Sequence, residues 1–562
     1  MEVYQIILII VAVMAVVAII GFVMSASARR NLYASLLASF GQIKKSEFTY
    51  EEYESISHFF RNTLKEGEFF VDDITWNDLD MDKLFLMINN TNSSVGRDSL
   101  YKILRKPVSD KTVLDERERL MEYFDSHDDT RTRIMQSFCN IGFSRRISIS
   151  DYMENLFKLK PQSNLPHIIM LLCVILAFVY TFTIDAVFGV GLIIITSGVS
   201  IVSYYKSKSR IDSFFECVRQ LVCMVETAGK ISRMQIPELS EYNKYFADTV
   251  SLFGKITRNS FVLVSHKANS GSLADIIMEY IKMFTHIDLM KFNSVLRHFD
   301  RNYGEVLTLM DRLGFIEAMI SAASFRRLMP YMCRPVFTDG GEIELKNIYH
   351  LNIKEPVANS FCESRPVLVT GSNASGKSTF LKSVAIGAIL AQTLNTCPAD
   401  YYKAPFYRIY SSMALADDLD SGESYYIVEI KSLKRIVDAA REPGMKVLCF
   451  IDEVLRGTNT VERIAASSEI LKNLADNKVM CFAATHDIEL THILEKIYSN
   501  YHFDEEVRDN NVIFSYELKK GRATSRNAIK LLGIIGYDDV IIRNSEQRAN
   551  DFINTGIWRH YQ

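Results

Sequence analysis

Gly371-Ser-Asn-Ala-Ser-Gly-Lys-Ser378 is the stretch of sequence that decides the fold of the C-terminal part of this chain. It fits the pattern G-x-x-x-x-G-K-[ST] and lies between the strand-like apolar run 366–370 and the helical pattern 378–392. In such a unit the glycines let the backbone turn, so that its N–H groups surround phosphate oxygens where the helix begins. The stretch therefore predicts a nucleotide-binding loop in an α/β domain.

The polar residues of this loop have separate expected tasks. Lys377 should reach the β- and γ-phosphates of ATP and assist catalysis, and the Ser378 hydroxyl should ligate Mg²⁺. The residues expected to contact the nucleotide are Gly371, Ser372, Asn373, Ala374, Ser375, Gly376, Lys377, Ser378 and Thr379. ATP and Mg²⁺ are therefore the predicted cofactors.

Two later segments contain the remaining groups that nucleotide hydrolysis needs. The apolar run 447–451 leads to Asp452 and Glu453, which are expected to hold Mg²⁺ and to orient the attacking water, respectively. Without the loop, two acids at this position would more often form a solvated strand end. The strand-like run 480–485 leads to His486, which is expected to contact the γ-phosphate. A lone histidine there would more often be structural, but the other two motifs favour a catalytic role.

These motifs, taken in order, resemble the MutS family of DNA mismatch repair proteins. The stretch Asp417-Asp-Leu-Asp-Ser-Gly-Glu-Ser-Tyr-Tyr-Ile-Val-Glu429 is similar to the signature segment of that family. Ile451-Asp-Glu-Val-Leu-Arg-Gly-Thr-Asn-Thr460 resembles its Walker B strand with the R-G-T-x-T loop that follows. The other matching segments are 357–359, 370–379, 391–399 and 482–491. The resemblance extends from residue 347 to about residue 542.

The resemblance implies a dimeric ATPase of the ABC type with composite sites. Each nucleotide would lie between the loop of one subunit and the signature serine of the other, here Ser424, which would both bind and assist hydrolysis. Tyr425 and Tyr426 replace the usual Thr-Phe of the family. The tail 521–543 resembles the closing helices that support the dimer. A homodimer is therefore expected.

Weaker resemblance continues upstream of the ATPase motifs. The segment 91–107 resembles the start of the MutS core domain, and 313–335 resembles the end of its lever helix. No segment resembles the mismatch-recognition domain, because an apolar run occupies the place where its aromatic-x-Glu motif is expected. Recognition of mismatches is therefore not expected of this chain.

Apolar runs at 6–24, 168–184 and 186–205 predict three transmembrane helices. Arginines follow the first run, and lysines or arginines stand on both outer sides of the last two, which puts these flanks in the cytoplasm by the positive-inside rule. The alternative is that the runs are buried helices of a soluble core. The predicted localisation is a multi-pass membrane protein with the bulk of the chain in the cytoplasm.

The predicted fold class is multidomain, with transmembrane helices, an α-helical core and lever domain, and a C-terminal α/β P-loop ATPase domain of the ABC type. Cysteines at 449 and 481 lie in apolar runs and are expected in the core, and none of the 9 cysteines forms a CxxC pair. The predicted domains are an anchor (1–27), a helical core (28–165), a membrane hairpin (166–205), a lever-like region (206–335) and the ATPase domain (336–562).

Three functions are compatible with these features. The first is a membrane-tethered ATPase whose cycle opens and closes a dimer around DNA or a DNA structure. The formal charge of -3 gives this no support, since a surface that wraps nucleic acid is usually basic. The second is an ATP-driven switch or scaffold that binds protein partners, and the third is a transporter ATPase fused to its own membrane part. Salt-sensitive DNA affinity would favour the first.

Overall fold

The computed structural model describes residues 23–44, 48–144, 151, 162–257, 263, 273–372, 374–413, 425–508, 511–523, 529, 532, 535–558 and 560–561. The chain divides into two compact units, each made of segments that are not contiguous in sequence. One contains Met1–Glu66, Met87–Lys102 and Arg119–Leu328, and the other contains Gly67–Leu86, Ile103–Glu118 and Met329–Gln562. The predicted first membrane helix lies outside the described residues, apart from Val23 and Met24.

The described residues up to Leu328 form helices and no strand, which agrees with the predicted helical core. Residues 23–39 are helical. The helices that follow are α1 (Tyr50–Asn62), α2 (Asp73–Asp78), α3 (Met81–Ile88), α4 (Ser94–Arg105), α5 (Lys111–Ser126), α6 (Asp128–Ile141), α7 (Leu165–Thr183), α8 (Ala186–Arg233), α9 (Ser240–Thr257), α10 (Leu273–Thr285), α11 (Ile287–Arg301) and α12 (Tyr303–Leu328).

Helix α12 packs tightly against α4 in the first unit. A Cβ atom on Gly314 would lie 2.0 Å from Ser99 Oγ and 2.6 Å from the carbonyl oxygen of Val95, so only glycine permits this approach. The buried Glu317 carboxylate, three residues further along α12, accepts hydrogen bonds from the N–H of Asn92 (2.6 Å) and from the Ser93 hydroxyl. The segment 91–97, singled out in the sequence, therefore anchors helix α12.

Helices α7 and α8 form a hairpin that is apolar along its outer surface. Leu165–Thr183 and Ala186–Asp212 are long and apolar enough to cross a membrane, and they are the two such helices among the described residues. Only 17% and 11% of their most apolar windows are buried, whereas a core helix of a soluble protein would be mostly buried. Asp185 caps α8 by accepting hydrogen bonds from the N–H groups of Val187 (2.8 Å) and Phe188 (3.0 Å).

The end of the hairpin opposite its turn is attached to α11 and to the residue before it. His167 Nδ1 lies 2.9 Å from His286 Nδ1, and the Tyr204 hydroxyl donates to Asp288 Oδ2 at 2.8 Å. Asn164 donates to the carbonyl oxygen of Met290 at 3.1 Å. Both flanks of the hairpin therefore meet the same group of helices, as expected if both flanks lie on one side of a membrane.

The second unit contains two sheets and the remaining helices. The smaller sheet has strand order β1-β5-β2-β3, and the larger one has six strands in the order β10-β9-β4-β8-β7-β6. The strands are β1 (Val336–Phe337), β2 (Ile343–Ile348), β3 (Asn359–Glu363), β4 (Val367–Thr370), β5 (Tyr401–Ala404), β6 (Tyr407–Ser412), β7 (Lys446–Asp452), β8 (Met480–Thr485), β9 (Ser499–Arg508) and β10 (Asn511–Lys520). The helices are α13 (Lys377–Leu394), α14 (Tyr425–Arg441), α15 (Thr460–Asp476), α16 (Ile488–Ile493) and α17 (Asp539–Thr555).

The larger sheet is parallel except for its β9–β10 edge, which confirms the prediction of a mainly parallel sheet. Strands β4, β7 and β8 are buried, and their neighbouring positions bring the ends of all three to one edge of the sheet. Cys449 on β7 and Cys481 on β8 lie opposite each other in the strand register, and both are free cysteines. Both are fully buried, as expected for core residues. This edge is where parallel α/β sheets bind their ligands.

Two short segments of the N-terminal sequence belong to the second unit. Asp78 Oδ2 accepts hydrogen bonds from the Ser411 hydroxyl (2.6 Å) and the Met413 N–H (2.9 Å). Arg435 on α14 donates to Asp72 Oδ2 at 2.7 Å. The sequence-based division places these acids in the region 28–165, but their contacts lie with the end of β6 and with α14 in the second unit.

Candidate nucleotide site

The loop between β4 and α13 has a backbone that requires glycine. Gly371 has φ +150°, and a Cβ atom there would lie 2.7 Å from Ser375 Oγ and 3.0 Å from the carbonyl oxygen of Phe503. Gly376, with φ +108°, is the N-cap residue directly before the 18-residue helix α13. Because the first N–H groups of a helix have no intrahelical partner, they are available to phosphate oxygens.

Lys377 is almost fully buried within this loop. Its Nζ atom donates to the carbonyl oxygens of Gly371 (2.9 Å) and Ser372 (2.8 Å) and lies 3.3 Å from His486 Nε2. Burial lowers the pKa of Lys377, whereas the nearby carboxylates of Asp452 and Glu453 act in the opposite direction. The side chain is thus held inside the loop, where its ammonium group can meet the phosphates of a nucleotide.

Ser378 and Asp452 come together although they lie on different elements. Ser378 is in the first turn of α13 and Asp452 ends β7, and Ser378 Oγ donates to Asp452 Oδ2 at 2.5 Å. Hydroxyl and carboxylate oxygens are the ligands that Mg²⁺ prefers in proteins. The two predicted metal ligands therefore fit a shared Mg²⁺ site.

Glu453 is held by two basic residues. Its Oε1 atom lies 2.9 Å from His486 Nε2, and its Oε2 atom lies 2.6 Å from Arg456 Nε. The hydrogen bond from His486 holds the pKa of Glu453 below its usual range, and the charge of Arg456 acts in the same direction. The backbone of Glu453 has φ +61°, so the residue turns out of the end of the strand towards the loop. The carboxylate is therefore ionised at neutral pH and fixed at both oxygens.

Most of these groups line one cavity of about 640 Å³. Its polar lining includes residues 374–379 of the loop, Asp452, Glu453, Arg456 and His486. Ser375 Oγ is buried and has no hydrogen-bond partner among the described residues. The lining also includes the apolar and aromatic residues Ile348, Ile353, Pro356, Val357, Phe503 and Tyr516. Polar and apolar groups in one cavity fit a ligand that joins a phosphate chain to a flat base.

Most of the predicted site residues are close together, and two lie outside the described residues. The loop residues from Ala374 to Thr379 line the cavity. The Ser372 hydroxyl instead contacts Glu505 on β9. Asn373 and Ser424 are not among the described residues, so their roles stay predictions.

Several residues at the cavity had not been predicted as site residues. Arg456 was part of the quoted R-G-T motif but had no assigned role. Asn359 belongs to the quoted segment 357–359; its Nδ2 donates to the Tyr516 carbonyl oxygen at 3.0 Å and its Oδ1 accepts from the Leu518 N–H at 2.7 Å. The sequence had no indication for Tyr516 itself, which has φ +55° at an irregularity in β10.

Known proteins with similar sequences also indicate a nucleotide-binding domain in this part of the chain. Residues 367–553 match the family model for MutS domain V. The chain is 27% identical over 362 residues to human MutS protein homolog 4, in an alignment that covers 58% of this chain and 38% of the relative. It is 31% identical over 252 residues to the DNA mismatch repair protein MutS of Thermosipho melanesiensis, covering 42% of this chain and 30% of the relative.

A third relative, the DNA mismatch repair protein MutS of Pseudothermotoga lettingae, is 32% identical over 259 residues, which cover 43% of this chain and 31% of the relative. The chain thus spans between 30% and 38% of the length of these three relatives. The matched region contains the loop, both carboxylates and His486, which form one cavity. The chain therefore contains a MutS domain V at residues 367–553 and is similar, over part of its length, to proteins of the MutS family.

Proposed function

We propose that this chain is a membrane-anchored MutS-like ATPase whose ATP cycle drives a dimeric clamp or switch. The observation that carries the ATPase proposal is the position of Glu453 beside the loop, fixed by His486 at 2.9 Å and Arg456 at 2.6 Å. A carboxylate held in this way can orient a water molecule towards a phosphate bound at Lys377.

Each residue of the site has a defined role in the proposed hydrolysis. Lys377 binds the β- and γ-phosphates, and Glu453 accepts a hydrogen bond from the attacking water. His486 lies between Lys377 and Glu453, so it can respond to the γ-phosphate and to the carboxylate together. Mg²⁺ held by Ser378 and Asp452 would neutralise charge on the phosphate oxygens. Ser424 of a second copy would complete the site.

We infer that a second copy of this chain and DNA are the partners of this ATPase. Two of the relatives are named DNA mismatch repair protein MutS, which supports DNA as the ligand. We propose that the chain acts on DNA or on a DNA structure and that it does so without a mismatch-reading head. The balanced charge of the chain, -3 in total, favours the second candidate, a membrane switch that binds protein partners.

The membrane hairpin is the second part of the proposal. It is supported by the exposed apolar side chains of α7 and α8, for example Phe182 (84% exposed) and Val187 (87% exposed) next to the turn. A monomeric soluble protein rarely leaves such a continuous apolar surface in water. Lys206, Lys208 and Arg210 follow the second apolar run, 186–205, which favours a cytoplasmic position for the ATPase domain.

ATP hydrolysis by the detergent-purified full-length protein tests the proposed function. The rate would be measured without DNA and with linear, mismatched and branched DNA, at two salt concentrations. We expect hydrolysis that DNA changes, with an effect that weakens as salt rises, because phosphate contacts release counterions. Hydrolysis that no DNA changes would support the switch that binds protein partners. A protein that hydrolyses no ATP under any of these conditions would contradict both.

The reactivity of native cysteines tests the hairpin. Cys173 lies in α7 and Cys362 in β3, and both are exposed in the structure. In opened membrane vesicles we expect a water-soluble maleimide to label Cys362 and to leave Cys173 unmodified, because a thiol in lipid does not ionise. Peptide mass spectrometry would measure both sites, with the denatured protein as the control in which both react. Equal labelling of Cys173 and Cys362 in the opened vesicles would contradict a hairpin in lipid.

A further inference from the structure

A buried carboxylate outside the cavity contacts the loop that carries Arg456. Glu429 lies on α14 and is 2% exposed. Its Oε1 atom accepts hydrogen bonds from the backbone N–H of Leu455 (2.6 Å) and of Arg456 (3.3 Å). Its Oε2 atom is buried without a hydrogen-bond partner among the described residues. A carboxylate is costly to bury, so these two N–H groups are the main compensation that the described residues provide.

The same loop is contacted by α14 at a second point. A Cβ atom on Gly457 would lie 3.2 Å from Tyr426 Cβ and Cδ2, so the ring of Tyr426 packs directly on this glycine. Leu455, between Glu453 and the glycine, has φ +60°, a conformation that a leucine seldom adopts without support from its surroundings. Helix α14 therefore supports the segment 455–457 through one hydrogen-bonding residue and one aromatic residue.

This segment determines where the Arg456 side chain lies. Arg456 Nε contacts Glu453 Oε2 at 2.6 Å, and its guanidinium also donates to the carbonyl oxygen of Asp452 at 3.3 Å. A shift of the Arg456 backbone would move the guanidinium and with it one of the two groups that fix the Glu453 carboxylate. Displacements of about 1 Å at such a group can reduce turnover about a hundredfold.

We propose that Glu429 is a positioning residue for ATP hydrolysis, which holds the Leu455–Arg456 backbone so that Arg456 fixes the Glu453 carboxylate. This inference rests on the proposed ATPase function. Glu429 does not line the cavity, so it acts through Arg456 and not on the nucleotide. It is expected to affect the rate of hydrolysis and to leave ATP affinity nearly unchanged.

The position of α14 in the chain extends the consequence to a dimer. Helix α14 begins at Tyr425, directly after Ser424, the serine expected to reach the nucleotide of the second copy. The first turns of this helix contain both residues that support the Arg456 loop. If Ser424 acts as expected, Glu429 connects the segment that meets the partner's nucleotide with the carboxylate proposed to act on the nucleotide of its own subunit.

The test compares Glu429→Ala with Glu429→Gln in the full-length protein. The alanine variant should lose at least about tenfold in kcat with less than about twofold change in KM for ATP, because it removes the acceptor for both N–H groups. The glutamine variant retains an acceptor oxygen at the same position and should recover kcat to within about threefold of the wild type. Asp438→Asn, on the exposed face of the same helix, is the matched control and should behave as wild type.

Two measurements separate this role from a general structural one. Gly457→Ala displaces the same loop from the side of Tyr426, and it should also lower kcat while KM is retained, even if Glu429→Ala does not fold. In a double-mutant cycle, the losses from Glu429→Ala and Ser424→Ala should be non-additive if α14 connects the two sites.

The inference and the proposed function fail in different ways. A wild-type protein without ATPase activity would contradict the proposed function. An active wild type in which Glu429→Ala keeps its kcat would overturn the role of Glu429. If Glu429→Ala does not fold, Gly457→Ala with wild-type kcat would overturn it. Equal losses in the alanine and glutamine variants would overturn the hydrogen-bonding explanation, and strictly additive losses in the cycle would overturn the connection to Ser424.

Discussion

Glu453→Gln is expected to bind ATP with near wild-type affinity and to hydrolyse it at least about a hundredfold more slowly. The amide has almost the shape of the carboxylate, so the cavity is preserved. It has no negative charge, however, with which to hold the attacking water or to pair with Arg456, whose Nε lies 2.6 Å from Glu453 Oε2. A dimer closed on ATP should therefore accumulate, measured by nucleotide binding, phosphate release and size-exclusion chromatography.

The control for this prediction is Glu469→Gln, the same chemical change on the exposed part of α15. It should hydrolyse ATP at the wild-type rate. If Glu453→Gln also hydrolysed at the wild-type rate, Glu453 would not be the residue that orients the water, and the next candidate would be His486, which lies 2.9 Å from it.

Lys377→Ala is expected to weaken ATP binding about a hundredfold, or by about 2.7 kcal/mol, and to reduce hydrolysis below detection. The change removes a buried ammonium group that meets the phosphates. It also removes the donor that bonds the Gly371 and Ser372 carbonyl oxygens at 2.9 and 2.8 Å, so the loop loses part of its own support. A fluorescent ATP analogue would measure the affinity.

Lys472→Ala is the matched control, because Lys472 is an exposed lysine on α15 that pairs with Asp476 at 2.6 Å. It should leave both affinity and turnover unchanged. Thermal unfolding of the two variants would separate loss of binding from loss of fold. A folded Lys377→Ala protein that binds ATP normally would contradict the assignment of the loop.

Local pattern was sufficient to predict the nucleotide-binding half of the second unit. The predicted strands at 366–370, 447–451 and 480–485 and the helix at 378–392 agree with the observed elements to within a few residues. Buried parallel strands are continuous apolar runs, and the apolar residues of a helix recur with a period near 3.6 residues. Both patterns can therefore be recognised in the sequence itself. The loop, Asp452, Glu453 and His486 follow these elements directly and were found for the same reason.

The apolar hairpin was also determined by sequence alone, since the length and hydrophobicity of a run decide whether it can span a lipid bilayer. The sequence alone did not determine which helices the hairpin contacts. The contact between Tyr204 and Asp288, at 2.8 Å, joins residues on separate helices, and no local periodicity specifies which helix meets which.

The tertiary structure alone decided how the site is completed. The contact of His486 with Glu453 depends on β7 lying beside β8, because Glu453 follows β7 and His486 follows β8. Glu429 reaches the Arg456 loop only because α14 packs beside it. Asp78 meets Ser411 on β6, and Asp72 meets Arg435 on α14, each across more than 300 positions of sequence. Sequence determined the chemical groups because their types and spacing are local, whereas their partners arise from non-local packing that only the folded chain fixes.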